Sequence, residues 1–137
     1  KQTKFRKTFK YFPSTLKYSN NNLSLGSFGA KSIEFVRITA KQLEASRRAI
    51  TRNIKRRGKL WLNAFPHIPV TSKPTEVRMG KGKGNIAFWS CSIKPGTILF
   101  ELEGVAMELA KQSLILGSDK LACSTKFILD YSTISEK

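Results

Sequence analysis

The pattern of apolar and polar residues divides the chain into an irregular N-terminal part, one helix and a segment rich in strands. In residues 1–32, basic and aromatic residues alternate without a sustained period of two or of 3.6. Pro13 and the asparagines at 20–22 favour turns. This part is predicted to be an extended basic arm.

A helix is predicted over residues 40–57. Thr39 and Gln42 have the spacing of a capping box, and Gly58 stands where a left-handed residue often ends a helix. One face is apolar and carries Leu43, Ser46, Ala49, Ile50 and Ile54. The rest of the helix surface is cationic, with only Glu44 spaced to pair with Arg48, and ordinary solvation explains such a surface poorly.

Beyond this helix the period changes to two, which indicates strands. Strands are predicted at residues 60–65, 86–93, 97–103 and 121–129, with a second helix from Gly104 to about Gly117. Pro95 and Gly96 suit the centre of a type II turn, so the second and third strands are predicted to form a hairpin. The expectation is a single α+β domain with a mostly antiparallel sheet and two helices, comprising residues 33–137 behind an arm of residues 1–32.

Charge adds a strong constraint to this outline. The 137 residues include 25 Lys and Arg against 9 Asp and Glu, a net charge of +16. Residues 1–59 carry +14 of this charge and residues 60–137 carry +2. A polyanionic partner is expected, and nucleic acid is favoured over membrane because the apolar stripe of the basic helix lacks aromatic residues. No apolar run approaches the roughly 18 residues needed to cross a bilayer, and no secretory signal is recognised.

The segment from Lys73 to Asn85 alternates glycine and lysine as GKGKG at residues 80–84. Approachable backbone amides and loop cations suit contact with phosphate. The segment is not a Walker A loop, because Asn85 and a strand pattern follow it instead of Lys-Ser/Thr and a helix. The alternative is an ordinary flexible tip between two strands.

Catalytic or metal-binding chemistry is not expected. The only histidine, His67, lies between two prolines, and Cys91 and Cys123 have no further ligand at a metal-binding spacing. Cys91 is predicted to be a core residue. Glu101 and Glu103 are predicted to lie on the solvent side of a strand. No enzyme activity, cofactor or small-molecule substrate is therefore predicted.

Several strings are more specific than composition. They are TKFRK at residues 3–7, QLEASRRAITRNIKRRGK at 42–59, KPTEVRMGKGKGN at 73–85, KPGTILFEL at 94–102 and STKF at 124–127. With these strings the chain resembles the ribosomal protein L16 (uL16) family. The resemblance implies an α/β-hammerhead-like domain without catalytic activity. It also implies a structural place in the large ribosomal subunit, near the base of the central protuberance and beside the corridor of the A- and P-site tRNAs.

The resemblance also implies partners and site residues. The partners are large-subunit rRNA, A/P-site tRNA and neighbouring ribosomal proteins. The residues carried over as rRNA-binding are Lys4, Arg6, Lys7, Arg47, Arg48, Arg52, Lys55, Arg56 and Arg57. Those carried over to a loop near tRNA are Arg78, Lys81 and Lys83.

Residues 8–25 depart from the family, which usually continues after Lys7 with a Gly- and Arg-rich stretch. The abundance of Lys, Asn, Ile and Phe is typical of an AT-rich coding sequence. Together with the KPTEVRM and STKF strings it favours a ribosome in the mitochondrial matrix, with a plastid or bacterial cytoplasm as alternatives. From the residues alone, an RNA-binding assembly factor or RNA chaperone also remains open.

Overall fold

Two antiparallel sheets and two helices form the part of the chain that this computed structural model describes, residues 3–9 and 22–130. In chain order the elements are β1 (Phe28–Ser32), β2 (Val36–Thr39), α1 (Ala40–Asn53), β3 (Lys59–Leu62), β4 (Ile68–Ser72), β5 (Asn85–Ile93), β6 (Ile98–Glu103), α2 (Met107–Ser118) and β7 (Thr125–Leu129). One sheet has the strand order β3-β6-β1-β7 and the other β2-β5-β4. The predicted α+β class, antiparallel pairing and two helices are confirmed, whereas the hammerhead likeness stays a prediction.

The start of α1 follows from its first residues. The Thr39 hydroxyl accepts a hydrogen bond from the Gln42 N–H at 3.2 Å, and the Gln42 side chain accepts one from the Thr39 N–H at 2.9 Å. This is the predicted capping box, which satisfies two amides that the helix itself leaves without partners. The predicted apolar stripe faces the core, where Leu43, Ser46 and Ile50 are buried.

The predicted end of α1 at Arg57 is wrong. The helix ends at Asn53, where the Lys55 N–H bonds to the Arg52 carbonyl at 3.2 Å and the Arg56 N–H to the Thr51 carbonyl at 3.1 Å. These two bonds form a Schellman motif, which needs a left-handed residue after the helix. Lys55 takes that role with φ 53°, followed by Arg56 with φ 62°.

The predicted hairpin is also wrong, although its turn is present. The Thr97 N–H bonds to the Lys94 carbonyl at 3.2 Å, and Gly96 has the positive φ of 85° that a type II turn requires. However, β5 pairs with β2 and β4, whereas β6 pairs with β1 and β3. The Gly96 N–H donates to the Ser32 carbonyl, and the Ser32 N–H donates to the Thr97 carbonyl. These two bonds hold the turn beside β1, so the chain passes from one sheet to the other.

Residues 28–32, assigned above to the arm, form a central strand of the four-stranded sheet. Phe28, Ala30 and Ser32 are buried, and β1 pairs with both β6 and β7. The strand lacks a two-residue alternation because Gly29 is also buried, close to the backbone of Phe100 and the side chain of Leu23. Residues 28–32 of the predicted arm are therefore part of the sheet.

Other element boundaries differ less. β3 and β7 are shorter than predicted, and β4 was not predicted because Pro69 interrupts its pattern. α2 ends at Ser118, one residue after the predicted Gly117, and Gly117 packs against Ile50 of α1. The small residue lets the two helices approach, and both helices bury their apolar faces in one core with the sheets.

Candidate nucleic-acid interface

The outer surface of α1 carries a shallow basic groove of about 480 Å³. Its lining residues are Arg47, Arg48, Thr51, Arg52, Lys55 and Arg56. The helical spacing places Arg48 and Arg52 on one face, and the left-handed turn adds Lys55 and Arg56 at its end. Five of the predicted site residues therefore lie together. Arg57 is exposed just beyond them.

Glu44 holds two of these arginines. Its carboxylate accepts hydrogen bonds from Arg47 Nη2 at 2.7 Å, from Arg47 Nε at 2.9 Å and from Arg48 Nε at 3.0 Å. The bonds from Arg47 and then Arg48 lower the pKa of Glu44 to about 2, and the same contact raises the pKa of Arg47. The sequence predicted the Arg48 pair but not the Arg47 pair. Glu44 thus stays ionised near neutral pH and restricts both guanidinium groups.

The glycine-lysine loop exposes Arg78, Lys81 and Lys83. Three consecutive residues are left-handed, Gly80 with φ 96°, Lys81 with φ 52° and Gly82 with φ 87°. The Lys73 ammonium donates to the Gly80 carbonyl and braces the loop across its base. Gly80 and Gly82 have open space where a side chain would begin, so an external phosphate can approach the backbone at this turn.

The described part of the arm contacts this loop. The Lys7 ammonium donates to the Lys83 carbonyl at 3.0 Å, and the Lys83 ammonium donates to the Thr8 carbonyl. Lys83 also lies over the Phe9 ring, 5.1 Å from its centroid. No local pattern predicts this contact, because the partners are far apart in the chain. Lys4 and Arg6 are exposed beside it.

A buried carboxylate, at a position predicted to face solvent, fixes the chain where it enters β1. Glu101 is 1% exposed and accepts hydrogen bonds from the backbone N–H groups of Ser24, Leu25 and Gly26 at 2.7–3.1 Å and from Asn63 Nδ2 at 2.5 Å. Burial raises its pKa, but these donors lower it by more, so the pKa lies below its ordinary value. The predicted solvent position is therefore wrong for Glu101 and correct for Glu103.

The remaining candidate chemistry is sparse. Within residues 3–9 and 22–130, no three His, Cys, Asp or Glu side chains are placed to hold a metal ion. His67 is exposed with Nδ1 3.0 Å from the Phe65 carbonyl. Cys91 is buried as predicted, and burial raises the pKa of its thiol. In the same described ranges, neither helix has the length and apolar character of a bilayer span.

Comparison with known proteins shows the family to which the chain belongs. The family model described as ribosomal protein L16p/L10e matches residues 1–128. The chain belongs to this family. The L16 resemblance expected from the sequence strings is therefore confirmed.

Three bacterial proteins named large ribosomal subunit protein uL16 illustrate the similarity. The chain is 53% identical to that of Chelativorans sp. (strain BNC1) over 128 residues, which is 93% of each chain. It is 49% identical over the same length and coverage to those of Sinorhizobium medicae (strain WSM419) and Allorhizobium ampelinum (strain ATCC BAA-846 / DSM 112012 / S4). As a member of the L16 family, the chain is a structural ribosomal protein that works in the ribosome and not an enzyme.

Proposed function

We propose that this L16-family chain is a structural component of the large ribosomal subunit that supports translation. In this proposal it binds large-subunit rRNA near the base of the central protuberance and borders the A/P-site tRNA corridor. The observation that carries the proposal is the groove along α1, where Arg48 and Arg52 of the helix and Lys55 of the turn that follows it are exposed together. A folded polyanion is the partner that such a surface fits.

The rRNA contacts are assigned to the α1 groove and the arm. The assigned residues are Lys4, Arg6, Lys7, Arg47, Arg48, Arg52, Lys55, Arg56 and Arg57. In the groove, Glu44 orients Arg47 and Arg48 for planar contacts with phosphate or bases, which arginine makes and lysine does not. If roughly 6 to 10 phosphates are neutralised, affinity falls about 10³- to 10⁵-fold between 50 and 200 mM salt.

The tRNA contact is assigned to Arg78, Lys81 and Lys83. Their loop protrudes from the end of the three-stranded sheet, between β4 and β5, and its glycines open the backbone to phosphate. Subunits carrying both Arg78→Ala and Lys81→Ala should assemble normally but hold A- and P-site tRNA less tightly. Unchanged tRNA affinity in these subunits would limit the loop to a connecting role.

The division into an arm of residues 1–32 and a domain of residues 33–137 is retained as a functional division, with β1 as the part of the arm that enters the sheet. In this proposal, neighbouring ribosomal proteins and rRNA surround the arm. The proposed location is the mitochondrial matrix, supported by the Lys-, Asn-, Ile- and Phe-rich composition, with a plastid or bacterial cytoplasm as alternatives. Detection of the chain in purified mitochondria, plastids or whole bacteria distinguishes these locations.

The second candidate function is that of an assembly factor or RNA chaperone, because the same positive charge would also bind RNA in such a protein. Sedimentation of a lysate through a sucrose gradient at moderately high salt separates the two functions. A structural protein remains with the mature large subunit. An assembly factor is found at the top of the gradient or only on immature particles, and that result would overturn the proposal.

A further inference from the structure

We infer that Lys83 acts as a positioning residue, which fastens the arm to the glycine-lysine loop, and does not itself contact tRNA. This inference rests on the proposed function of the loop and changes the role of one of its three cations. The geometry that supports it is reciprocal. Lys7 donates to the backbone of Lys83, and Lys83 donates to the backbone of Thr8.

A third contact directs the Lys83 side chain toward the arm. Its ammonium lies 5.1 Å from the centroid of the Phe9 ring, within the range of a cation–π interaction. Phe9 is 93% exposed, so this contact with Lys83 lies at the protein surface. Thr8, Phe9 and Lys83 also line one small groove with residues of β4.

Lys81 provides the contrast. It lies two residues away in the same loop and is exposed, and its side chain forms no hydrogen bond or ion pair with the described residues. Lys81 has a left-handed backbone conformation with φ 52°. It lies between Gly80 and Gly82, and no atom lies within 4 Å of the place where either glycine would carry a Cβ. The loop therefore offers Lys81, like Arg78, to an external phosphate and uses Lys83 internally.

This arrangement has a functional consequence. An arm that binds rRNA and is fastened to the loop fixes the loop relative to the rRNA. The loop is then already ordered before tRNA binds. Because less conformational entropy is lost on binding, the affinity for tRNA is higher. Lys83 thus contributes to tRNA affinity through the arm.

The first test uses the free chain and needs no ribosome. Chymotrypsin cleavage after Phe9 is followed by mass spectrometry for the wild type, Lys83→Met and the matched control Lys81→Met. Loss of one hydrogen bond and one exposed cation–π contact should accelerate cleavage about 3- to 10-fold in Lys83→Met only. Equal cleavage rates in the two variants would overturn the inference. Lys83→Arg, which retains a donor and a cation, should restore the wild-type rate.

The second test is a double-mutant cycle on tRNA affinity in large subunits. If Lys83 acts through the arm, Lys7→Met and Lys83→Met together should lose no more affinity than the more severe single variant. For the double variant Lys7→Met with Lys81→Met, the fold loss of tRNA affinity should equal the product of the fold losses of the two single variants. Multiplicative losses for Lys7 with Lys83 would mean that Lys83 contacts tRNA directly and would overturn the inference.

The two tests separate this inference from the proposed function. Faster cleavage in Lys83→Met without any effect of the loop variants on tRNA would retain the fastening of the arm but overturn the tRNA role of the loop. Loss of tRNA affinity with equal cleavage rates would retain the loop as a tRNA contact and overturn the positioning role of Lys83.

Discussion

The hydroxyl of Ser46 donates a 2.7 Å hydrogen bond to the carbonyl of Gly117, which joins α1 to α2 where Gly117 lies against Ile50. A Cβ atom at position 117 would overlap the Ile50 side chain and lie 3.1 Å from the Ser46 hydroxyl oxygen. The helices that carry the basic groove and close the core are thus held at a separation that only glycine permits here.

Gly117→Ala should therefore destabilise the domain by about 1–3 kcal/mol, as overpacking of a core does, even though alanine favours helix formation. Urea unfolding of the purified chain measures this effect. Ile50→Val removes one of the two overlapping atoms and should recover part of the loss in the double variant. A more stable Gly117→Ala protein would contradict the packing described here.

Lys55→Gly should raise stability while weakening RNA binding. Lysine in the left-handed conformation costs roughly 1–2 kcal/mol, which glycine avoids. The greater conformational freedom of glycine in the unfolded state offsets roughly 0.5–1 kcal/mol of this, so a net gain of up to about 1.5 kcal/mol is expected. Unfolding midpoints and salt-dependent binding to an rRNA fragment measure the two effects. Lys55→Ala retains the strain and should lose affinity without gaining stability.

The Glu101 carboxylate should make stability fall in acid. Its pKa is below the ordinary value of 4.5, so its contribution is fully present above pH 4.5 and is lost as pH falls through the lower folded-state pKa. Glu101→Gln should cost about 1–3 kcal/mol at pH 7, because the amide nitrogen cannot accept hydrogen bonds as the second carboxylate oxygen does. Glu103→Gln on the exposed side of the same strand is the control, and an equal loss there would contradict the buried role of Glu101.

Arg48→Lys and Arg52→Lys should each weaken incorporation into large subunits although the charge is retained. Lysine cannot make the forked contact of a guanidinium group, and a lysine at position 48 also changes the bond to Glu44. Quantitative mass spectrometry of purified subunits, with wild-type and variant chains in competition, measures the ratio. Lys41→Arg on the same helix, outside the groove, should compete equally. Undiminished incorporation of both lysine variants would exclude specific arginine contacts.

Local signals in the sequence predicted much of this molecule. The capping box at Thr39, the turn at Gly96 and the apolar stripe that includes Ile50 depend on residues a few positions apart, and each is present. The Gly96 turn nevertheless joins two sheets, because its bonds to Ser32 come from a distant part of the chain. Strand pairing is a property of tertiary structure, which a local pattern does not determine.

The interface follows the same rule. The cationic cluster on α1 was predictable because helical spacing alone places its residues together. The ion pair between Glu44 and Arg48 was predictable from their spacing of four residues. The contact of Lys7 with Lys83 and the burial of Glu101 by Ser24 and its neighbours involve residues that are distant in sequence. Alternation placed Glu101 on the solvent face, whereas the segment before β1 covers that face.

The central position of β1 has a consequence for biosynthesis. The strand lies near the start of the chain, but its two neighbours in the sheet are residues 98–103 and 125–129. During translation, the two edges of β1 therefore stay unpaired until residues 98–103 and 125–129 have been made, and contacts so distant in sequence form slowly. Until then, an unpaired strand edge and a highly basic segment emerge together, a combination prone to aggregation and to binding the wrong RNA. This nascent chain should need a binding partner from the start of its synthesis.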